Sequence, residues 1–405
     1  MKFLLHLAAL LALPPALSQA AAPQKTAPAM RRLDNTSITP AEAESFAQKT
    51  LAEAHVTGAQ IAILNDGHLT WSYAYGLRSR DPDLPMTTET TTWAASIAKS
   101  VFSTYVMLLV ERHQFNLDLP IVKQLPQPLD SYAPYKDTAS GVVNDPAWPS
   151  ITPRMLLSHT SGLQNFASIE PDKKMHLHFK PGTQFLYSGE GINLVQFVIE
   201  QQFHKPMDEL MQAAIFAPLG MTQTGLIYRK EFAANVADRF DRDEKFHAQT
   251  KRFPARGAGS MSTSVEDLAH FLTALFSDTI LKPSTRKAMF APYYAIHGLH
   301  QFPLAANEPA GTEAAATGLA YGVGWGLLTR TPYGPAFFKE GHGDGAQNYL
   351  LCFERRQTCM IVLTNSDNGE LAFRALFERL LGDTVTPWEW EGYTASYIEA
   401  ARQQP

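Results

Sequence analysis

The chain has 405 residues, 45% of them hydrophobic and 18% charged, with a formal net charge of -5. That length and composition describe a globular protein with a sizeable core, in one large domain or two smaller ones, and exclude a disordered or fibrous chain. The mildly acidic balance offers no basic patch, so no nucleic-acid partner is expected.

The first residues, MKFLLHLAALLALPPALSQA, combine Lys2, an apolar run and a small-x-small ending at Ser18-Gln19-Ala20. They read as a cleavable signal peptide, 1–20, and imply a secreted or periplasmic protein. Pro14-Pro15 interrupts the run, which falls short of the roughly 20 apolar residues a span requires, so stable membrane insertion is not expected. Residues 21–38 are small, Pro-containing and aperiodic, and read as a linker. Folded structure is predicted from Thr39-Pro40-Ala41-Glu42, a capping box with proline at the first helical position.

After a helix over 39–54 come GAQIAILNDG and HLTWSYAYGL, two alternating runs hinged at Asn65-Asp66-Gly67, which predict a hairpin. Helical periodicity dominates from about 96 to 290. A stretch at 305–318, AANEPAGTEAAATG, reads as a loop. Strands return from about 321 in YGVGWGLLTR, GAQNYLLCF and TCMIVLTN, followed by the helical run ELAFRALFERLLG. Strands from both ends are expected to complete one antiparallel sheet, with the helical middle as an inserted lobe and a cleft between them. The fold class is α+β, with the main domain over 39–383. A tail at 384–405, carrying Trp388 and Trp390, has no assigned role.

Cys352 and Cys359 flank FERRQT between two strand-like runs, so a tight turn there sets them opposite each other. An oxidising compartment permits a disulfide; two buried free thiols are the alternative.

WAASIAKSVFSTYVMLLVE, at 93–111, places Ser96 and Lys99 three positions apart at the head of an apolar helical run. Residues at that spacing share a helix face. A serine hydroxyl needs a neighbouring base to become a nucleophile, and lysine serves only when burial draws its pKa down from about 10.4. Ser-x-x-Lys alone is weak, with about one chance match expected in a chain of this length. Ser284-Thr285-Arg286-Lys287 has the same spacing at a polar helix start, where a structural serine and a solvated lysine are expected. Tyr187, in FKPGTQFLYSGEG, is a candidate proton shuttle. In KEGHGDGAQNYLLCF, His342, Gly343, Asp344 and Gly345 are candidates for substrate binding and an oxyanion hole, since strand-edge glycines admit close approach. No Gly-x-Ser-x-Gly elbow occurs, and Ser366-Asp367-Asn368 reads as a polar loop.

Together these segments resemble the serine β-lactamase and penicillin-binding-protein-like hydrolases, a family that includes class C β-lactamases, DD-peptidases, D-aminopeptidases and related esterases. The resemblance is carried by Ser-x-x-Lys at 96–99, LLSHTSGL at 156–163, PGTQFLYS at 181–188, PLGMTQTGL at 218–226, GAGSMSTSVEDLAHF at 257–271, YGVGWG at 321–326 and the strand at His342. It implies a β-lactamase/transpeptidase-like fold, Ser96 as acylated nucleophile, Lys99 as its activator and Tyr187 as general acid/base. It sets His342 where β-lactamases often have the lysine of Lys-Thr-Gly. Two departures stand out: the Asn expected two places after the tyrosine is Gly189, and the Gly expected two places after the histidine is Asp344.

The implied activity is hydrolysis of small-molecule esters, D-amino-acid peptides or cell-wall peptides, without metal or cofactor. A class C-like β-lactamase and a slowly deacylating penicillin-binding sensor are the alternatives. His159, in LLSHTSGL, is expected to support the loop beneath the site.

Overall fold

The computed structural model describes residues 29–247, 251–304 and 308–402. The signal peptide expected over 1–20 lies outside the described residues.

Among the described residues, nine strands form one antiparallel sheet. In chain order they are β1 (Gly58–Asn65), β2 (His68–Arg80), β3 (Asp83–Pro85), β4 (Tyr294–Ala295), β5 (Leu319–Tyr321), β6 (Gly326–Leu328), β7 (Ala336–Gly343), β8 (Ala346–Phe353) and β9 (Thr358–Thr364). In space the order is β4-β5-β6-β7-β8-β9-β1-β2-β3. The N-terminal and C-terminal strands therefore meet at the β9–β1 pair, and the helical stretch is inserted between β3 and β4, as the sequence pattern predicts.

The local signals act as expected. Helix α1 (Pro40–Glu53) starts on a complete Thr39/Glu42 capping box. The β1–β2 turn places Asp66 and Gly67 both at positive φ, the geometry that a two-residue hairpin with matching twist requires. Cys352 and Cys359 are direct cross-strand partners on β8 and β9 and are disulfide-bonded.

The sheet alternates between two cores. Phe337, Leu350, Ile361 and Leu363 face α2 (Ile97–Glu111), while Phe338, Tyr349, Leu351 and Val362 pack against α1 and the C-terminal helices. Helix α2 is buried along nearly its whole length, from Ile97 to Leu109. A mostly apolar helix buried on every side belongs inside a protein, and its polar Ser100 is paired there with the Gly324 carbonyl.

Three boundaries differ from the sequence reading. Within the expected linker, Met30–Arg31 pairs with Ser37–Ile38, and Met30, Leu33 and Ile38 enter the core. Apolar residues among small and polar ones were enough to anchor a segment that lacks periodicity. Within 305–318, Thr312–Thr317 is a helix that ends on Gly318 in the left-handed region. The tail after 383 buries Trp388 and Trp390 against the sheet and continues into the helices Trp388–Glu391 and Ala395–Arg402. Among the described residues, no helix is long and apolar enough to cross a membrane.

The disulfide closes a short loop, so replacing both cysteines with alanine is expected to cost roughly 2 kcal/mol of stability. Thiol titration of the denatured, unreduced protein checks the bond directly: no free thiol is expected before reduction and two after it.

Candidate functional site

Ser96 stands at the N-terminal end of α2, directly after Ala95, whose φ of 45° is one that few non-glycine residues adopt. The Ser96 amide makes no backbone hydrogen bond among the described residues, so a donor is left free at the positive end of the helix. Three residues on, Lys99 is only 1% exposed, with Nζ 2.8 Å from Ser96 Oγ and donating to the Ala258 carbonyl at 2.6 Å. Burial drives its pKa well below 10.5, the neighbouring Lys339 pushes it further down, and Glu340 opposes both. The competing Ser284/Lys287 pair, at the start of the helix Pro283–Met289, is exposed on both members. Burial thus separates two identical spacings.

Tyr187 precedes helix α3 (Gly189–Phe203), whose N-cap Ser188 accepts from Gly191 N–H. Two bonds to His159 fix the tyrosine: Leu186 N–H donates to the His159 carbonyl at 2.8 Å and Ser188 N–H to Nδ1 at 3.2 Å. His159 is buried against the Tyr187 ring, with centroids 4.4 Å apart. Burial and the two lysines hold it neutral, with its pKa well below 6.5. It is placed as a support, as expected. The Tyr187 ring lies between Lys99 Nζ at 4.9 Å and Lys339 Nζ at 4.8 Å. Its hydroxyl accepts from Lys339 at 2.9 Å, and Tyr187 lines the cleft together with Ser96 and Glu340. Burial and the Glu340 charge raise its pKa well above 10.0, so the phenol keeps its proton.

Lys339 was missed by the sequence reading. It is fully buried on β7 and contacts Glu340 as well as Tyr187. The residues Lys339-Glu340-Gly341 have the spacing of Lys-Thr-Gly, so the signal was present three positions before His342. Lys339, and not His342, is the side chain of this strand that contacts Tyr187. His342 instead opens onto the cleft with Nδ1 3.5 Å from Glu370. Desolvation pulls its pKa down, but Glu370 and Asp367 outweigh this and raise it above 6.5.

Strand β6 pairs with β7 only as far as Phe338, which leaves an open edge from Lys339 to Gly343. Along it Gly341 is required: a Cβ there would lie 2.3 Å from the Ala94 carbonyl oxygen, two residues before Ser96. Gly343 packs on the Trp93 indole. Asp344 and Gly345 form the β7–β8 turn, with Gly345 N–H donating to Asp367 and the Asp344 carbonyl accepting from Arg239. Of the four expected oxyanion and substrate residues, His342 alone borders the cleft. A strand carries only its edge residues past the nucleophile, and by Asp344 the chain is already turning back.

Asn165 and Phe166 crowd the position of Gly189. Gly189 N–H donates to Asn165 Oδ1 at 2.8 Å, and a Cβ on Gly189 would meet the Phe166 ring at 2.7 Å. Asn165, from the preceding loop, occupies that space and borders Ser96 in both adjoining cavities, of about 460 and about 310 Å³. With Oδ1 engaged, its amide N–H₂ remains for the cleft. Among the described residues, no cluster of His, Cys, Asp and Glu is arranged to hold a metal.

The antiparallel sheet, the inserted helical lobe and the cleft at the N-terminus of α2 define a serine hydrolase of the β-lactamase/transpeptidase-like fold. The chain belongs to the Beta-lactamase family, whose model matches residues 43–383. Similar proteins include Penicillin-binding protein 4 of Amycolatopsis lactamdurans, 23% identical over 82% of this chain and 86% of its own length. Esterase EstB of Burkholderia gladioli is 25% identical over 48% of this chain and 53% of its own length. Among solved structures, the D-amino acid amidase of Ochrobactrum anthropi SV3 superposes with a TM-score of 0.64 at 22% identity, covering 89% of this chain and 98% of that one.

Replacing Lys99 with methionine tests the electrostatics. Burial makes the amine lose its proton at lower pH in the folded protein, whereas the unfolded chain protonates it below its ordinary 10.5. Between the lowered value and 10.5 the unfolded state binds the extra proton, so this position costs stability that is recovered as pH rises. Lys99→Met is expected to abolish hydrolysis yet raise stability at pH 7 by on the order of 1 kcal/mol or more, a gain that shrinks toward pH 10. Denaturant melts across that pH range check it.

Proposed function

We propose that this chain is an exported serine hydrolase that acts through an acyl-enzyme on Ser96, on ester or peptide-type amide substrates. The observation that carries the reading is the 2.8 Å contact between Ser96 Oγ and a buried lysine whose pKa is drawn well below its ordinary value. In the proposed reaction Ser96 Oγ attacks the substrate carbonyl and its proton passes to Lys99 Nζ. The free Ser96 amide, with a backbone amide of the β7 edge at His342, binds the oxyanion. Tyr187, protonated and bonded to Lys339, gives a proton to the leaving group, and Lys99 or Lys339 restores it. Water then attacks the acyl-enzyme by the reverse proton path and releases the acid. Asn165 is positioned to hold the carbonyl on the acyl side.

Esters and amides are favoured over a dedicated β-lactamase role by charge. Glu340 and Glu391 border the cleft beside Tyr187, and a penicillin brings a carboxylate of like sign. The proposal of export rests on the leader-like residues 1–20 and on the disulfide, which suits an oxidising compartment.

Intact-mass measurement during turnover of p-nitrophenyl acetate and of benzylpenicillin tests the reading. With the acetate, wild type is expected to show an acetyl adduct or steady release of p-nitrophenol, and Ser96→Ala is expected to lose at least about 10³-fold in rate. Its kcat/KM should rise with pH on a limb far below 10.5, set by Lys99. A persistent penicilloyl adduct would point to the sensor reading, and rapid penicillin turnover to the β-lactamase. Undiminished hydrolysis by Ser96→Ala would remove the mechanism.

A further inference from the structure

Beside Tyr187, where the cleft wraps round the open edge of β7, two glutamates present oxygens that nothing satisfies. Glu340 is 3% exposed and Glu391 is 5% exposed, and both border the cleft that contains Ser96. One oxygen of each is engaged: Glu340 Oε1 by Lys339, Glu391 Oε1 by the Tyr349 hydroxyl at 2.9 Å. The other oxygen of each, Oε2, is buried with no partner among the described residues. Leaving a buried carboxylate oxygen unpaired is costly, and native proteins do so mainly where something else completes the site.

The surroundings narrow what that partner is. Two carboxylates face a single nearby lysine, Lys339, which is already bonded to Glu340 and Tyr187. Arg242, the other cation bordering this cleft, is paired with Glu370 instead. Burial and the charge of Glu340 push the Glu391 carboxyl well above its usual range, as expected of an acidic pair short of one positive charge. Phe302, Tyr393 and Tyr397 complete the wall, and aromatic faces beside carboxylates suit an alkylammonium ion rather than an anion. The residues come from β7 and from the C-terminal segment that wraps over the sheet, so the seat is built by the fold and not by one flexible loop.

We propose that the substrates of this hydrolase carry an ammonium group, as in amino-acid esters, amides or peptides with a free amine, and that this group binds between the unpaired oxygens of Glu340 and Glu391. The proposal rests on the serine-hydrolase reading for the meaning of substrate, but the cation seat is a binding property that is measured separately. Lys339 bonds both Glu340 and the Tyr187 hydroxyl, and Ser96, Tyr187, Glu340 and Glu391 line one cavity. A seated ammonium therefore lies within a short side chain's reach of the carbonyl under attack.

Two measurements on the full chain decide it. In the first, benzylammonium and its neutral counterpart benzyl alcohol are titrated calorimetrically into wild type, Glu391→Gln and Glu340→Gln. Wild type is expected to bind the cation and not the alcohol, and each substitution to weaken the cation by about tenfold or more, the scale of a lost hydrogen bond to a charged group. In the second, both enantiomers of alanine p-nitroanilide are compared with their N-acetyl derivatives. The free amines are expected to be favoured in kcat/KM by about tenfold or more, and Glu391→Gln to bring that ratio down toward one. Equal binding of cation and alcohol, or equal hydrolysis of amine and N-acetyl substrates, would overturn the proposal. Hydrolysis of p-nitrophenyl acetate, which has no amine, reports on Ser96 alone: its absence would sink the hydrolase reading, and the calorimetry would still decide whether the seat binds ammonium.

Discussion

Everything distinctive about the site depends on keeping one lysine out of water. Lys99 lies on a helix that is buried on every side, enclosed between the sheet and the inserted lobe, and an ammonium ion there loses most of its hydration. The second lysine, Lys339, adds like-charge repulsion. The cost of burying the ammonium form of Lys99 is what leaves its amine free to accept the Ser96 proton in the proposed mechanism. The strained backbone at Ala95 and the tight approach of Gly341 to Ala94 belong to the same economy of space, which brings strand, helix and nucleophile together.

The second constraint is an interruption in the sheet. Because β6 stops pairing at Phe338, the edge of β7 stays open beside Ser96, and side chains from its two faces reach the cleft separately. Lys339, on the α2 face, turns toward Tyr187; Glu340 and His342, on the other face, meet the C-terminal helices. The cleft therefore has a lysine-rich side and an acidic side, split by a single strand. The alternation of a β-strand is enough to create that polarity.

Much of this was legible in the sequence. The capping box, the Asp66-Gly67 turn, the period-two runs and the apolar helix after Ser96 are local signals, and each formed the predicted element. The Ser96, Lys99 and Tyr187 grouping was also readable, since motif order carries it. Lys339 was hidden because Lys-Glu-Gly lacks the middle threonine of the familiar motif, and only the fold brings this lysine to Tyr187. Asn165 could not be inferred at all: it fills the room left at Gly189 from 24 positions away, a relation that exists only in space. The acidic side was equally unreadable, because Glu391 sits in a tail whose only visible feature was two tryptophans.

The measurement that bears most directly on this account is the titration of Lys99 itself, by NMR of the protein with isotope-labelled lysine side chains, Lys99→Met supplying the assignment. The account predicts a Lys99 signal that changes protonation far below the ordinary 10.5, so that the amine is largely neutral near pH 7. A Lys99 signal titrating near 10.5, alongside the surface lysines, would contradict it and leave Ser96 without a base.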